Sequence, residues 1–149
     1  IVSKTPEQAR LIRTAREVND SKPQWVIEKV KLAVAEFLQA NPDKTAREVT
    51  IACFGLAFKP DIDDMRESPA FSITQKIAET HAGTTVAVDP NISALPEVIQ
   101  KKIQLLSINT ALEMSDILVL LVDHKEFKEL SNNDIKNQII VDTRGIFQQ

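Results

Sequence analysis

Five short, largely apolar runs, most of them shut off by a turn residue, constrain this chain more than any other feature. Thr50–Phe54 ends at Gly55, Thr85–Val88 at Asp89-Pro90, Ile117–Val122 at Asp123-His124 and Gln138–Val141 at Asp142, with a shorter run at Gln104–Ser107. Runs of this length are strand-sized, and strands that are apolar throughout need cover on both faces. Helix signals fall between them. Ser68-Pro69 reads as an N-cap followed by a first-turn proline, opening a helix that runs to about His81 with Gly83 as its stop. Leu95–Lys101, Thr110–Met114 and Glu126–Leu130 read as shorter helices. The β-α-β-α order predicts an α/β chain, a doubly wound, Rossmann-like and mostly parallel sheet.

The first forty residues follow a different period. Thr5 reads as an N-cap with Pro6 at the first helical position, and Leu11, Ile12, Ala15 and Val18 recur at helical spacing. After Pro23 come Trp25, Val26, Ile27, Val30, Ala33, Val34, Phe37 and Leu38, a wide apolar stripe, with Glu28, Lys29, Lys31 and Glu36 mostly opposite. Pro23 predicts a kink, or a restart capped by Ser21. Asn41-Pro42-Asp43 closes the unit, which divides the chain into a helical region 1–42 and a sheet-forming region 43–149. So wide a stripe needs a partner surface, either the rest of the chain or a second subunit. Trp25 is read as a packing residue at one or the other.

Composition removes several function classes. The 149 residues are 43% hydrophobic and 26% charged, enough to bury a core. Net charge is −3, against the basic face that nucleic-acid binding needs. The single cysteine, Cys53, cannot form an intrachain disulfide. No apolar run reaches the roughly 18 residues of a membrane span, and no signal peptide is visible at Ile1. A cytoplasmic protein is the expectation.

In a doubly wound sheet, ligands bind beyond the carboxyl ends of the strands. The segment from Gly55 to Pro69 after the first strand is long for such a connection. Lys59 precedes a proline, which restricts it to extended geometry. Arg66 stands just ahead of a helix N-terminus, where an anion is already favoured. Together they make a phosphate or carboxylate site. Equally, Asp61, Asp63, Asp64 and Glu67 flank them, and the loop then reads as a solvated, salt-bridged surface. An acidic Mg²⁺ site from Asp61, Asp63 and Asp64 lacks a second ligand cluster. Arg144, after the last strand, would emerge at the same sheet edge as Lys59, or serve as a surface ion pair. A standard NAD fingerprint is rejected. Gly55 stands alone where G-x-G-x-x-G is needed, and Asp89 lies 34 residues past it, further than the roughly 20 expected of a ribose-binding acid. Cys53, His81 and His124 are read as structural, and no metal site is expected.

Gly55-Leu-Ala-Phe-Lys-Pro-Asp-Ile-Asp-Asp-Met-Arg-Glu-Ser-Pro-Ala70 resembles the C-terminal domain signature of the UDP-glucose/GDP-mannose dehydrogenase family. Ala15-Arg-Glu-Val-Asn-Asp-Ser-Lys-Pro23 resembles that family's linking helix, and Asp89-Pro90 and Asp142-Thr-Arg144 also match in place. The wording is most similar to the bacterial branch acting on UDP-N-acetyl-D-mannosamine. The resemblance implies oxidation of a sugar C6 alcohol through the aldehyde to a carboxylate, with NAD as cofactor, in a pathway of surface-polysaccharide synthesis. It implies a UDP-sugar substrate, contacts to the protein's own N-terminal half, and a homodimer formed through the linking helix. Phe58 and Lys59 match positions that contact the UDP-sugar, Arg144 an arginine that binds the uridine diphosphate, and Arg66 an arginine that reaches toward NAD. Gly145 stands where the family often has a second arginine. Neither the catalytic cysteine nor the NAD fingerprint matches a position of this chain, so no catalytic residue is assigned to it and NAD is expected mainly on the N-terminal half. The alternative is a non-catalytic nucleotide-binding or dimerisation module.

Overall fold

A computed structural model describes the backbone of residues 6–147 and the side chains of residues 23–147. Helix α1 (Pro6–Ala40) and a single 3-10 turn (Ala46–Glu48) lead into β1 (Thr50–Phe54). There follow α2 (Pro69–Thr80), β2 (Thr84–Val88), α3 (Glu97–Gln100), β3 (Ile103–Leu105), α4 (Ile108–Met114), β4 (Ile117–Leu120), α5 (Lys125–Lys128) and β5 (Ile139–Asp142). The strands order as β3-β2-β1-β4-β5, and every pairing is parallel. The doubly wound, Rossmann-like expectation therefore holds, with a fully parallel sheet.

The two-residue period of the strands explains why their sequences show no polar face. Ile51, Cys53, Ile117 and Val119 point to one side, where Val26, Ile27, Val30 and Ala33 of α1 and Ile73 and Ile77 of α2 cover them. Ala52, Phe54, Val86, Val88, Leu118 and Leu120 point to the other, against Ala111 of α4, Phe127 of α5 and Ile135. Both faces are dry, so both parities must be apolar. The apolar stripe of α1 beyond Pro23 thus finds its partner surface within the chain itself.

Several boundaries differ from the sequence reading. Helix α1 runs through Pro23 without a restart. The missing N–H removes one hydrogen bond, while buried Val26, Ile27 and Val30 anchor the turns beyond it. The Thr5 cap lies outside the described residues, as do the side chains of Leu11, Ile12, Ala15, Val18 and Ser21. Helix α2 opens as expected, with the Phe71 N–H donating to Ser68 Oγ at 3.2 Å. It stops at Thr80 rather than at a glycine, because His81 is already extended and its N–H donates back to Ile77 O. Gly83 is instead a close-approach position. A Cβ there would lie 2.6 Å from the Ala46 carbonyl oxygen. Strand β3 ends at Leu105 because Ser107 is the N-cap of α4, its Oγ accepting from the Thr110 N–H at 3.3 Å. Strand β4 ends at Leu120, where the Leu121 and Val122 amides both turn onto Phe54 O.

Gly55 makes the exit from β1 possible. Its φ is +103°, and a Cβ would meet Val122 Cβ at 2.6 Å and the Val122 nitrogen at 2.7 Å. Backbone cannot yield as a flexible side chain can. Gly55→Ala is expected to destabilise the fold by about 3 kcal/mol through combined strain and overpacking, read as a lower urea midpoint at unchanged m-value.

Candidate functional site

The chain leaves β1 toward β2 and β3, then returns to the other side of β1 as β4 and β5. The strand order therefore reverses between β1 and β4, and the crevice at that reversal is where doubly wound sheets bind ligands. The loop after β1 fills this place, and its backbone is fastened at both ends.

At the near end, the Leu56 and Ala57 amides donate to Asp89 Oδ2 at 2.8 and 3.1 Å. Asp89 closes β2, and its other oxygen accepts from the Asn91 N–H at 2.9 Å. Its side chain is fully buried, as is that of His124, whose Nε2 lies 2.9 Å from Asp89 Oδ2. Burial pushes the Asp89 carboxyl up. Hydrogen bonds from His124 and the Leu56 and Asn91 amides outweigh it, and the group is held below the usual aspartate range. At the far turn, the Asp61 N–H donates to His124 Nδ1 at 2.8 Å. That contact assigns the lone pair to Nδ1 and the proton to Nε2, so the imidazole is neutral and donates to the carboxylate. Asp61 Oδ1 in turn accepts from the Lys125 N–H at 2.8 Å. One acid–imidazole pair thus ties together the loops after β1, β2 and β4.

Across the far turn the loop closes on itself, the Phe58 N–H donating to Asp64 O at 2.7 Å. Phe58 is 43% exposed, and Lys59 Nζ stands 6.0 Å from its ring centroid. Phe58, Asp64, Arg66 and Glu67 line an open depression of about 400 Å³. Arg66 is 89% exposed at its side chain and forks onto Asp64, Nε to Oδ1 at 3.1 Å and Nη2 to Oδ2 at 3.2 Å. Those hydrogen bonds hold Asp64 below the usual range. The first turn of α2 is capped by Ser68, so Arg66 and the helix start form two separate features. The salt-bridged reading thus describes the Arg66 end of the loop in this structure.

Arg144 follows β5. Asp142 Oδ1 accepts from the Arg144 and Gly145 amides at 2.9 and 2.7 Å, and Arg144 Nε donates to Leu121 O at 3.0 Å. Leu121 sits just past β4, next to Val122, the residue against which Gly55 packs. Arg144 and the Phe58–Lys59 segment accordingly share the carboxyl edge of the sheet. A larger hollow of about 710 Å³ lies over the ends of β2 and β3. Its wall carries Asp89, Glu126 and Glu129 with no lysine or arginine, the wrong sign for a phosphate.

Cys53 is buried in β1, and burial, partly offset by Thr74, pushes its thiol up to about 12. It is inert, as read from the sequence. His81 is structural too, its Nε2 lying 2.8 Å from Val49 O. Among the described residues no group of three or more His, Cys, Asp or Glu side chains could hold a metal ion. The sequence reading missed Asp61 and Asp89 as scaffolding. The available signal was their position: each stands where a strand or its exit loop turns, beside a second such residue.

A family model described as the UDP-glucose/GDP-mannose dehydrogenase family, UDP binding domain, matches residues 52–149. A UDP-N-acetyl-D-mannosamine dehydrogenase of Yersinia pestis is 56% identical over 148 residues, 99% of this chain and 35% of that protein. The dehydrogenase of the same name from Escherichia coli K12 is 53% identical over the same shares. Among solved structures, the UDP-N-acetyl-mannosamine dehydrogenase Cap5O from Staphylococcus aureus superposes with a TM-score of 0.73 at 29% identity, over 99% of this chain and 32% of that one. The chain spans about a third of the length of the relatives it matches.

The Asp89 arrangement has a pH signature. A carboxyl held low when folded stabilises the fold fully above the unfolded range near pH 4, and that contribution is lost as pH falls through the lower folded value. Asp89→Asn is expected to lose about 2 kcal/mol at pH 7 and to flatten the acid limb of a stability-against-pH curve.

Proposed function

The chain belongs to the UDP-glucose/GDP-mannose dehydrogenase family, matching its UDP-binding domain, and on that premise we propose that it is the C-terminal nucleotide-sugar-binding part of an NAD-dependent dehydrogenase. The substrate is UDP-N-acetylmannosamine, oxidised at C6 from alcohol to carboxylate to give the uronate. The observation that carries the reading is that two cationic segments follow strands at the same edge of the sheet. Phe58 and Lys59 stand on the fastened loop after β1, and Arg144 stands against the end of β4. Lys59 and Arg144 supply charge-assisted hydrogen bonds to the diphosphate, and exposed Phe58 offers an apolar face to the nucleoside or sugar. Gly145, at φ +72° and with open space around it, takes the place of a second arginine. The diphosphate therefore leans on Arg144 alone at that position.

NAD does not fit this chain's own sheet. The exit from β1 holds one glycine, and Asp89, the acid after β2, is engaged by His124 and two loop amides. The reading places NAD on the part of the protein outside this chain and assigns Arg66 to the side of the cleft facing it, where reaching the cofactor means leaving Asp64. Neither hydride transfer nor acyl chemistry is assigned to Cys53.

Region 1–42 serves as the linking helix and 43–149 as the nucleotide-sugar unit. The described part of α1 presents Trp25 and Leu32 outward, 51% and 64% exposed. They border a groove of about 410 Å³ together with Ile139, Ile140 and Val141 of β5. This face suits a homodimer. No helix among the described residues is long and apolar enough to cross a membrane. A cytoplasmic enzyme supplying surface-polysaccharide synthesis is the matching context.

Titration with UDP, followed by amide NMR, is expected to shift Phe58, Lys59 and Arg144, with little response to NAD⁺. In the full-length protein, Lys59→Ala and Arg144→Ala are each expected to weaken UDP binding about 10- to 100-fold. Unchanged binding in the double variant overturns the reading. For the dimer, Trp25 emission is expected to change with protein concentration in step with gel-filtration volume; constant emission across the dissociation range places the contact elsewhere.

A further inference from the structure

Phe58 and Lys59 lie on a loop without regular secondary structure, yet a nucleotide-sugar site needs them in one place. The near tie, Asp89 on the Leu56 and Ala57 amides, fixes the first residues after β1. The far tie fixes the turn at Asp61, which sits at φ +61°. There Asp61 holds the N-terminal end of α5 by two hydrogen bonds. The Asp61 N–H donates to His124 Nδ1, and the Asp61 carboxylate accepts from the Lys125 N–H, each at 2.8 Å. Phe58 and Lys59 lie between the two ties, and both ties run through the same imidazole–carboxylate pair.

We propose that His124 is a positioning residue for the nucleotide-sugar site: held by Asp89, its imidazole accepts the Asp61 amide and so fixes the turn that presents Phe58 and Lys59. The inference rests on the nucleotide-sugar reading above. The ring has no other evident function. It is fully buried, so no substrate reaches it. Asn91 Nδ2 also lies 3.2 Å from Nδ1. Phe127 packs edge-on at 5.5 Å between centroids and holds the ring plane. The titratable groups facing it are Asp89 at 2.9 Å and Asp61 at 3.9 Å.

The two contacts can be separated by side chains that mimic one nitrogen each. In the full-length protein, His124→Gln places an amide N–H near Nε2 and keeps the Asp89 contact, but offers the Asp61 amide nothing. His124→Asn places a carbonyl oxygen near Nδ1 and keeps the Asp61 contact, but abandons Asp89. UDP affinity is expected to fall about tenfold in H124Q and to stay within about threefold of wild type in H124N, although H124N melts at a lower temperature. A purely structural histidine would instead make affinity follow thermal stability. Equal affinity losses in both variants, or none in a folded H124Q, overturn the proposal. Lys59→Ala run alongside separates the failures. If it also leaves UDP binding intact, the nucleotide-sugar reading falls and takes this proposal with it. If it weakens binding while H124Q does not, only the positioning role falls. A readout independent of variant folding is the long-range ¹H–¹⁵N spectrum of histidine-labelled wild type, which is expected to show His124 with a protonated Nε2 and a bare Nδ1. A protonated Nδ1 overturns the proposal.

Discussion

A buried carboxylate that meets a buried neutral imidazole organises the carboxyl edge of this sheet. Asp89 Oδ2 takes three donors, the Leu56 and Ala57 amides and His124 Nε2. Removing a charge from water costs several kcal/mol even after relaxation, and a single partner seldom offsets it. Three N–H groups on one oxygen and a fourth on the other do offset it, as the lowered position of the Asp89 carboxyl shows. The loop amides and the carboxylate therefore depend on each other. Without Asp89, two buried amides are left without acceptors. Without the loop in place, the carboxylate is buried with too few donors.

The parallel sheet makes this arrangement possible. All strands run the same way, so all strand ends deliver their turn residues to one edge. Gly55, Asp89, Val122 and His124 come from three strands and meet there because β2, β1 and β4 are neighbours in the order. The close packing of Gly55 on Val122 brings the exits of β1 and β4 within van der Waals reach. Phe127, its ring centroid 5.1 Å from Phe54 and 5.5 Å from His124, connects the hydrophobic layer under the sheet to the polar layer at its edge. The core and the candidate site are one packed structure.

This explains which parts were legible in the sequence. Strand runs such as Ile117–Leu120 announce themselves because burial on both faces forces every residue to be apolar. Lys59 and Arg144 draw attention because position after a strand end marks the ligand-facing edge before any contact is known, whereas Phe58 is singled out only through the family resemblance. The Asp89–His124–Asp61 network is not legible. Its members are separated by 35 and 63 residues and pair only after the strands align. Asp89 is also easily misread, because an acid after the second strand has a known role in dinucleotide sites, and only the two amides on it reveal a different one. The Pro23 and Gly83 differences share a cause. Local rules treat a proline as a break and a glycine as a stop, whereas here packing beyond Pro23 carries the helix on, and Gly83 answers to the nearby Ala46 carbonyl.

Charge raises a last point of physics. The whole chain carries −3, so a diphosphate of the kind proposed gains nothing from the net field. That field is screened over roughly 8 Å at physiological salt, and what counts is the sign of the groups at hydrogen-bond distance. At the β2–β3 end of the edge those groups are the carboxylates of Glu126 and Glu129, Asp89 being buried and already engaged. At the β1–β4–β5 end Lys59 and Arg144 stand among Asp61, Asp64 and Asp142, each of which already accepts hydrogen bonds from its own surroundings, and Arg66 is balanced by Asp64. On the proposed reading the diphosphate sits at this second end, beside the loop that Asp89 and His124 hold. Binding there would use groups whose placement is partly set in advance. Arg144 has its Nε on the Leu121 carbonyl, and Lys59 stands between two fastened ends of its loop. On the proposed reading, less side-chain entropy is lost at Arg144 and less loop entropy at Lys59 than free surface groups would lose, and the buried pair would serve recognition without touching the ligand.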